Sequence, residues 1–170
     1  MPARFTIRQL SGSDAWIYRD LRLEALKQEP RAFTAAYEDE ASCGLDAYAR
    51  RVADNVVLGG FLTDGRLAGM AGLVVPDGAK LRHRGTLWGV YVRPEARGLG
   101  MAKALVAGVV ARARTVVEVI TLGVGAYNAP ALKVYESQGF IEYARDSGLI
   151  KIGDDYVDEI LMTRRLNPPT

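Results

Sequence analysis

The segment Val90-Tyr91-Val92-Arg93-Pro94-Glu95-Ala96-Arg97-Gly98-Leu99-Gly100-Met101-Ala102 constrains the fold of this chain more than any other stretch. Apolar and β-branched residues run into a proline, which cannot donate to a sheet ladder and so ends a strand. Two glycines follow, and from Gly100 to Thr115 Ala, Leu and Val recur at helical spacing. A strand is thus joined to a helix through a loop that a ligand can approach closely. A helix start exposes unpaired N–H groups and the positive end of the helix dipole, so the segment predicts a diphosphate cradle. Gly98 and Gly100 allow the approach, Met101 and Ala102 add N–H donors, and Arg93, Arg97 and Lys103 complement charge. It is not a P-loop, because no Gly-Lys-Ser/Thr follows. Lys103 also stands where a dinucleotide fingerprint has its last glycine.

Strand-like and helix-like stretches alternate around this unit. Phe5 to Leu10 has the period of a half-buried strand, and Trp16, Ile17, Leu21, Leu23 and Leu26 recur at helical spacing until Pro30 stops the helix. A second helix is predicted between Asp46 and Asp54, after the acidic run Glu38-Asp39-Glu40. Val56 to Leu62 and Arg66 to Val75 read as a hairpin turned by Asp64-Gly65. Gly85 to Val92 is a central strand, Val116 to Val124 a fifth, and Ala129 to Gln138 a short helix closed by Gly139. Ile141 to Ile152 and Tyr156 to Leu166 make a last strand pair, and Asn167 to Thr170 a frayed tail. These elements predict a mixed α/β sheet in one domain, residues 1–170.

Composition narrows the chemistry. A net charge of +2, from 22 basic and 20 acidic residues, is too small to advertise a nucleic-acid partner. Seventeen of the basic residues are arginine, the side chain suited to planar contacts with phosphates and carboxylates. One cysteine, Cys43, and one histidine, His83, exclude a disulfide framework and most metal-ligand sets, so no metal site is expected. Met1 to Gly12 has no continuous apolar stretch of the signal-peptide kind, and Ala104 to Ala111 is far short of the roughly 20 residues a spanning helix requires. A cytoplasmic protein with no membrane partner is expected.

Downstream lies a second motif, Asn128-Ala129-Pro130-Ala131-Leu132-Lys133-Val134-Tyr135-Glu136-Ser137-Gln138-Gly139-Phe140. With the Arg97 to Ala102 loop, and at this spacing from it, the chain resembles the GCN5-related N-acetyltransferase (GNAT) superfamily. The resemblance runs from Arg66 through Phe140, with the first and last strands fitting more loosely. It implies a mostly antiparallel central sheet in which Val90 to Val92 and Ile120 to Val124 splay apart, with helices on its faces. It also implies acetyl-CoA as cosubstrate, its pyrophosphate on Arg97, Gly98, Leu99, Gly100, Met101 and Ala102, and its pantetheine arm on the backbone of Val90 and Val92.

Asn128 precedes a helix with proline in its first turn, so its amide is a natural cap, and in the superfamily it also bonds the cofactor. Tyr135 is the catalytic residue the resemblance implies: its hydroxyl lies near the cofactor sulfur and donates to the departing thiolate. With reference pKa values of about 10 for tyrosine and about 8.5 for a thiol, a strengthening hydrogen bond is favoured over full proton transfer. The implied reaction is direct attack by a primary amine of a small molecule or protein, with the Val90 N–H meeting the oxyanion.

At pH 7 only about one alkylamine in a thousand is neutral, so a base is needed. Some relatives carry a glutamate on the strand matching Thr86 to Val92, and this chain has none there. Glu38, Glu40, Asp155, Asp158, Glu159, His83 or a water chain remain as candidates. Glu29, Glu38, Asp39, Glu40, Asp154, Asp155, Asp158 and Glu159 are expected to form an acidic rim around the acceptor. Cys43 has no basic partner, which disfavours a covalent acetyl-cysteine route. The alternative to an enzyme is an inactive CoA-binding or protein-interaction module, and association as a homodimer stays open.

Overall fold

The computed structural model describes residues 4–166. Seven strands form one sheet in the order β1-β2-β3-β4-β5-β7-β6. They are β1 (Phe5–Gln9), β2 (Val56–Leu62), β3 (Leu67–Val74), β4 (Arg84–Val92), β5 (Val119–Gly125), β6 (Ile141–Ile152) and β7 (Asp155–Arg165). Every neighbouring pair is antiparallel except β4 and β5. The helices are α1 (Ala15–Gln28), α2 (Tyr37–Ala41), α3 (Leu45–Asp54), α4 (Met101–Ala113) and α5 (Ala129–Ser137).

Helices on both faces explain the strand sequences. On one face α4 and α5 bury Leu105, Val106, Val109 and Tyr135 against Leu58, Ala71, Leu87, Ile120 and Leu122. On the other, α1 and α3 bury Tyr18, Leu21, Tyr48 and Val52 against Val57, Phe61, Met70 and Tyr91. Strand β2, Val-Val-Leu-Gly-Gly-Phe-Leu, is therefore apolar throughout instead of alternating, because both of its faces are covered. Gly60 and Gly69 let α4 lie close: a Cβ at either would come within 2.7 Å of Met101 Sδ.

The predicted elements recur with small shifts and one omission. Strand β5 begins at Val119, three residues later than expected, because 114–117 finish the turn out of α4, where Val116 and Val117 N–H groups bond Ala113 O. The acidic run 38–40 belongs to the short helix α2, which has no apolar periodicity long enough to announce it. The sequence-expected tail, 167–170, lies outside the described residues.

What positions the site is the parallel pair. Strands β4 and β5 are in register only at Arg84/Val119, Gly85/Ile120 and Thr86/Thr121, and beyond that they part. The expected splay is present, yet it starts after Thr121, so Ile120 belongs to the paired half. Between β3 and β4 the register slips: Met70 opposes Tyr91, and Gly72 opposes Trp88, so Gly89 and Val90 have no register partner. Gly89 takes φ +64°, a conformation in which glycine avoids the strain of a Cβ. A bulge of this kind bends its strand, which turns β4 away from β5.

Candidate active site

Arg93 N–H donates to Ala68 O of β3 at 2.8 Å, so strand alternation directs the N–H and C=O of Val92 and Val90 to the opposite, open edge. That edge faces a groove of about 570 Å³. Its lining includes Val90, Val92, Arg97, Gly98, Gly100, Met101, Ala102 and Asn128. Eight of the ten sequence-predicted residues are thus brought together; Leu99 and Tyr135 are not among the lining residues. Residues not singled out from the sequence complete it, notably Phe33, which follows α1, and Tyr127, which follows β5. Contact between distant segments places them, and nothing local in the sequence announces it.

At the mouth of the groove the loop has the shape a phosphate needs. Gly98 (φ +76°) and Gly100 (φ +86°) are both left-handed, with open space where a Cβ would project. Gly100 caps α4 with no side chain, and the first intrahelical bond is Ala104 N–H to Gly100 O at 3.0 Å. The N–H groups of Met101, Ala102 and Lys103 are therefore the unpaired donors of the first turn. Arg97 holds the loop in place: its Nε donates to Val92 O at 3.0 Å and its Nη2 to Glu29 at 3.0 Å. The Arg93 side chain is turned away from the loop; it pairs with Glu24 at 2.7 Å and donates to Leu67 O.

Helix α5 forms the far wall through Pro130, Ala131 and Val134. Asn128 Oδ1 accepts from Ala131 N–H at 3.2 Å, which fixes the cap and leaves the Nδ2 donors to the groove. Tyr135 lies one residue past Val134, buried, with its ring edge-to-face on Phe140. Burial pushes its phenol well above the ordinary tyrosine value.

The candidate bases separate by their partners. Glu40 is buried, and although burial alone would raise it, hydrogen bonds from Arg22 and Arg51 hold its carboxyl below the usual range. Asp158 accepts from Arg145 at 3.2 Å and from Gly148 N–H at 2.9 Å, and Glu29 is tied to Arg97. His83 is exposed at the paired end of β4 and β5, opposite the glycine loop. The expected acidic rim is thus partly neutralised, because folding sets arginines beside carboxylates far away in sequence.

Glu159 differs from these. It is half-buried, no described cation pairs with it, and burial, with Asp146 directly across the β6/β7 ladder, raises its carboxyl above the usual value. Its Oε2 stands where a Cβ of Gly123 would project, so the carboxylate covers Gly123. Gly123 is the second residue of β5 past the last pairing with β4. Leu122 and Val124 face α4, so Gly123 and Glu159 face the other side, that of α1 and Trp88.

A parallel pair that opens beside a glycine loop and a helix N-terminus leaves a groove with free backbone donors at its open end. The chain belongs to the acetyltransferase (GNAT) family, whose sequence model matches residues 16–140, and acetyl-CoA is the cosubstrate of that family. Solved structures share the fold. The GNAT-family acetyltransferase of Streptococcus pneumoniae is 18% identical with a TM-score of 0.84, over 96% of this chain and 99% of that one. The protein yncA of Salmonella typhimurium, solved with its cofactor acetyl-CoA, is 21% identical with a TM-score of 0.80, over 98% and 96%. The ribosomal-protein-alanine N-acetyltransferase of Brucella melitensis is 24% identical with a TM-score of 0.77, over 95% and 99%. No curated protein matches by sequence. Among the described residues no helix is long and apolar enough to cross a membrane, and no cluster of ligating side chains could hold a metal.

Proposed function

We propose that this protein transfers the acetyl group of acetyl-CoA to an amine by direct attack, in one domain spanning residues 1–170. The observation that carries the reading is the parting of β4 from β5 beyond Thr86 and Thr121, with free α4 N–H groups at the open end. Bound acetyl-CoA supplies a thioester carbonyl and a thiolate leaving group. The backbone of Gly98, Leu99, Gly100, Met101 and Ala102 holds the pyrophosphate, and Arg97 fixes the loop that presents it. Val90 and Val92 bond the pantetheine arm as an added strand, and Asn128 Nδ2 donates to it.

Val90 N–H, beside the bulge, donates to the carbonyl oxygen as negative charge develops there. Tyr135 donates a hydrogen bond to the sulfur; its raised pKa makes it a donor that keeps its proton. Glu159 takes the amine proton. A carboxylate above its ordinary pKa is a stronger base, and as the amine nitrogen forms its new bond it becomes acidic enough to release a proton. Cys43 donates to Asp39 O at 3.6 Å in the α2–α3 turn and has no part in the scheme.

Purified protein, acetyl-CoA and a panel of amines, with free thiol followed by colour, test the reading. Thiol release dependent on an amine is expected, and Gly100→Glu, which adds bulk and negative charge to the cradle, abolishes CoA binding. CoA binding without amine-dependent release on any amine would identify an inactive module instead. Full CoA affinity in Gly100→Glu would refute the loop assignment.

A further inference from the structure

Behind Trp88 lies a buried ion cluster that the transfer reaction leaves unused. Arg22 of α1, 5% exposed, donates from Nε and Nη2 to the two carboxylate oxygens of Glu40 at 3.1 and 2.8 Å. Arg51 of α3 donates to the same carboxylate at 2.9 Å. Two cations against one anion leave an excess positive charge.

Two donors at this cluster have no acceptor. Arg22 Nη1 and Trp88 Nε1 are both closed off from solvent and find no hydrogen-bond partner among the described residues. They belong to neighbouring groups: the guanidinium carbon of Arg22 is 5.5 Å from the Trp88 ring. Nη1 also lies 3.5 Å from where a Cβ of Gly89 would project, so it backs the bulge at which β4 leaves β5. Buried polar groups are nearly always hydrogen-bonded. Two orphaned donors beside an excess positive charge therefore fit an anionic hydrogen-bond acceptor, with planar guanidinium geometry suited to a carboxylate.

We infer that Arg22 and Trp88 recognise a carboxylate on the acceptor, which makes the acceptor a small amino-carboxylate of the free amino acid type. The amino terminus of a protein chain carries an amide in place of that carboxylate, and a lysine side chain would have to bring its backbone into the buried cluster. Phe33 lines the groove and its ring centre lies 5.1 Å from the Arg22 guanidinium carbon, so it stands between the groove and the cluster, and a carboxylate arriving from the groove has to displace it. The inference rests on the transfer reading for the acceptor's role, while the anion site stands on the orphaned donors.

The indole N–H resonances of ¹⁵N-labelled protein read the site without turnover. The chain has two tryptophans, and Trp16, 59% exposed, is the internal control. Titration with each of the twenty standard amino acids and with matching amines that lack the carboxylate is performed with and without saturating CoA. At least one amino acid shifts the Trp88 resonance saturably while its amine does not, and Trp16 stays put. With that amino acid as acceptor, Trp88→Phe raises the half-saturating concentration about tenfold at unchanged acetyl-CoA affinity, the loss of one hydrogen bond to a charged group. The carboxylate site is refuted if no amino acid moves Trp88, if the matching amines move it equally, or if Trp88→Phe leaves the acceptor concentration dependence unchanged. A Trp88 shift without thiol release refutes the transfer reading and leaves the site standing. Thiol release from carboxylate-free amines with a silent Trp88 does the reverse.

Discussion

Glu159 and Tyr135 are each shifted by burial, and the shifts set different tasks. A carboxylate above its ordinary pKa loses its proton-accepting form at a higher pH than a solvated one, so kcat/KM falls as pH drops through the raised value. Glu159→Gln removes that acid limb and lowers turnover by about a hundredfold, as a pH–rate profile shows. The same substitution has the opposite sign for stability. A carboxyl raised on folding contributes stability only while protonated, and loses it as pH rises through the folded value; at pH 7 Glu159→Gln therefore unfolds at a higher temperature than the wild type. Lower activity with higher Tm separates a functional from a structural role. Tyr135→Phe removes only a hydroxyl whose ring keeps its place on Phe140. Turnover drops at least tenfold with CoA affinity unchanged; an equal loss of binding marks Tyr135 as packing only.

Among the elements, β4 decides the geometry. Its bulge leaves Gly89 and Val90 without partners in β3 and bends the strand away from β5. Gly89→Ala forces a Cβ onto φ +64° and costs roughly 1–2 kcal/mol, measurable by denaturant unfolding. Because the bulge also aims the Val90 N–H, the variant loses kcat while its acetyl-CoA affinity stays within a few-fold; unchanged kcat would show that the bulge only shapes the sheet. Most elements were legible because their signals are local: proline ends β4, glycines mark the loop, and helical spacing runs through α4. Helix α2 was not, since its five residues present only an acidic run, and its role emerges when Glu40 meets Arg22 and Arg51.

For the molecule as a whole, cosubstrate binding links the site to stability. If the groove holds CoA only in the folded state, CoA at a hundred times its Kd adds about 2.7 kcal/mol, a Tm rise of roughly 5–10 °C for a chain of this size. A thermal shift assay shows the rise in the wild type and its absence in Gly100→Glu. The sequence by itself determined the order of strands and helices, the glycine loop and the downstream motif, because each is written in residues a few positions apart. It left the base open among several carboxylates, His83 and a water chain, and only the tertiary structure shows which of those carboxylates arginines occupy. The reason is distance along the chain: Glu40 meets Arg22 across 18 residues, Glu29 meets Arg97 across 68, and Arg93 turns to Glu24 across 69. Sheet order and register decide which charges neutralise one another. What they leave over, an unpaired Glu159 on one side of the opening and two orphaned donors on the other, is where the chemistry of this chain is proposed to lie.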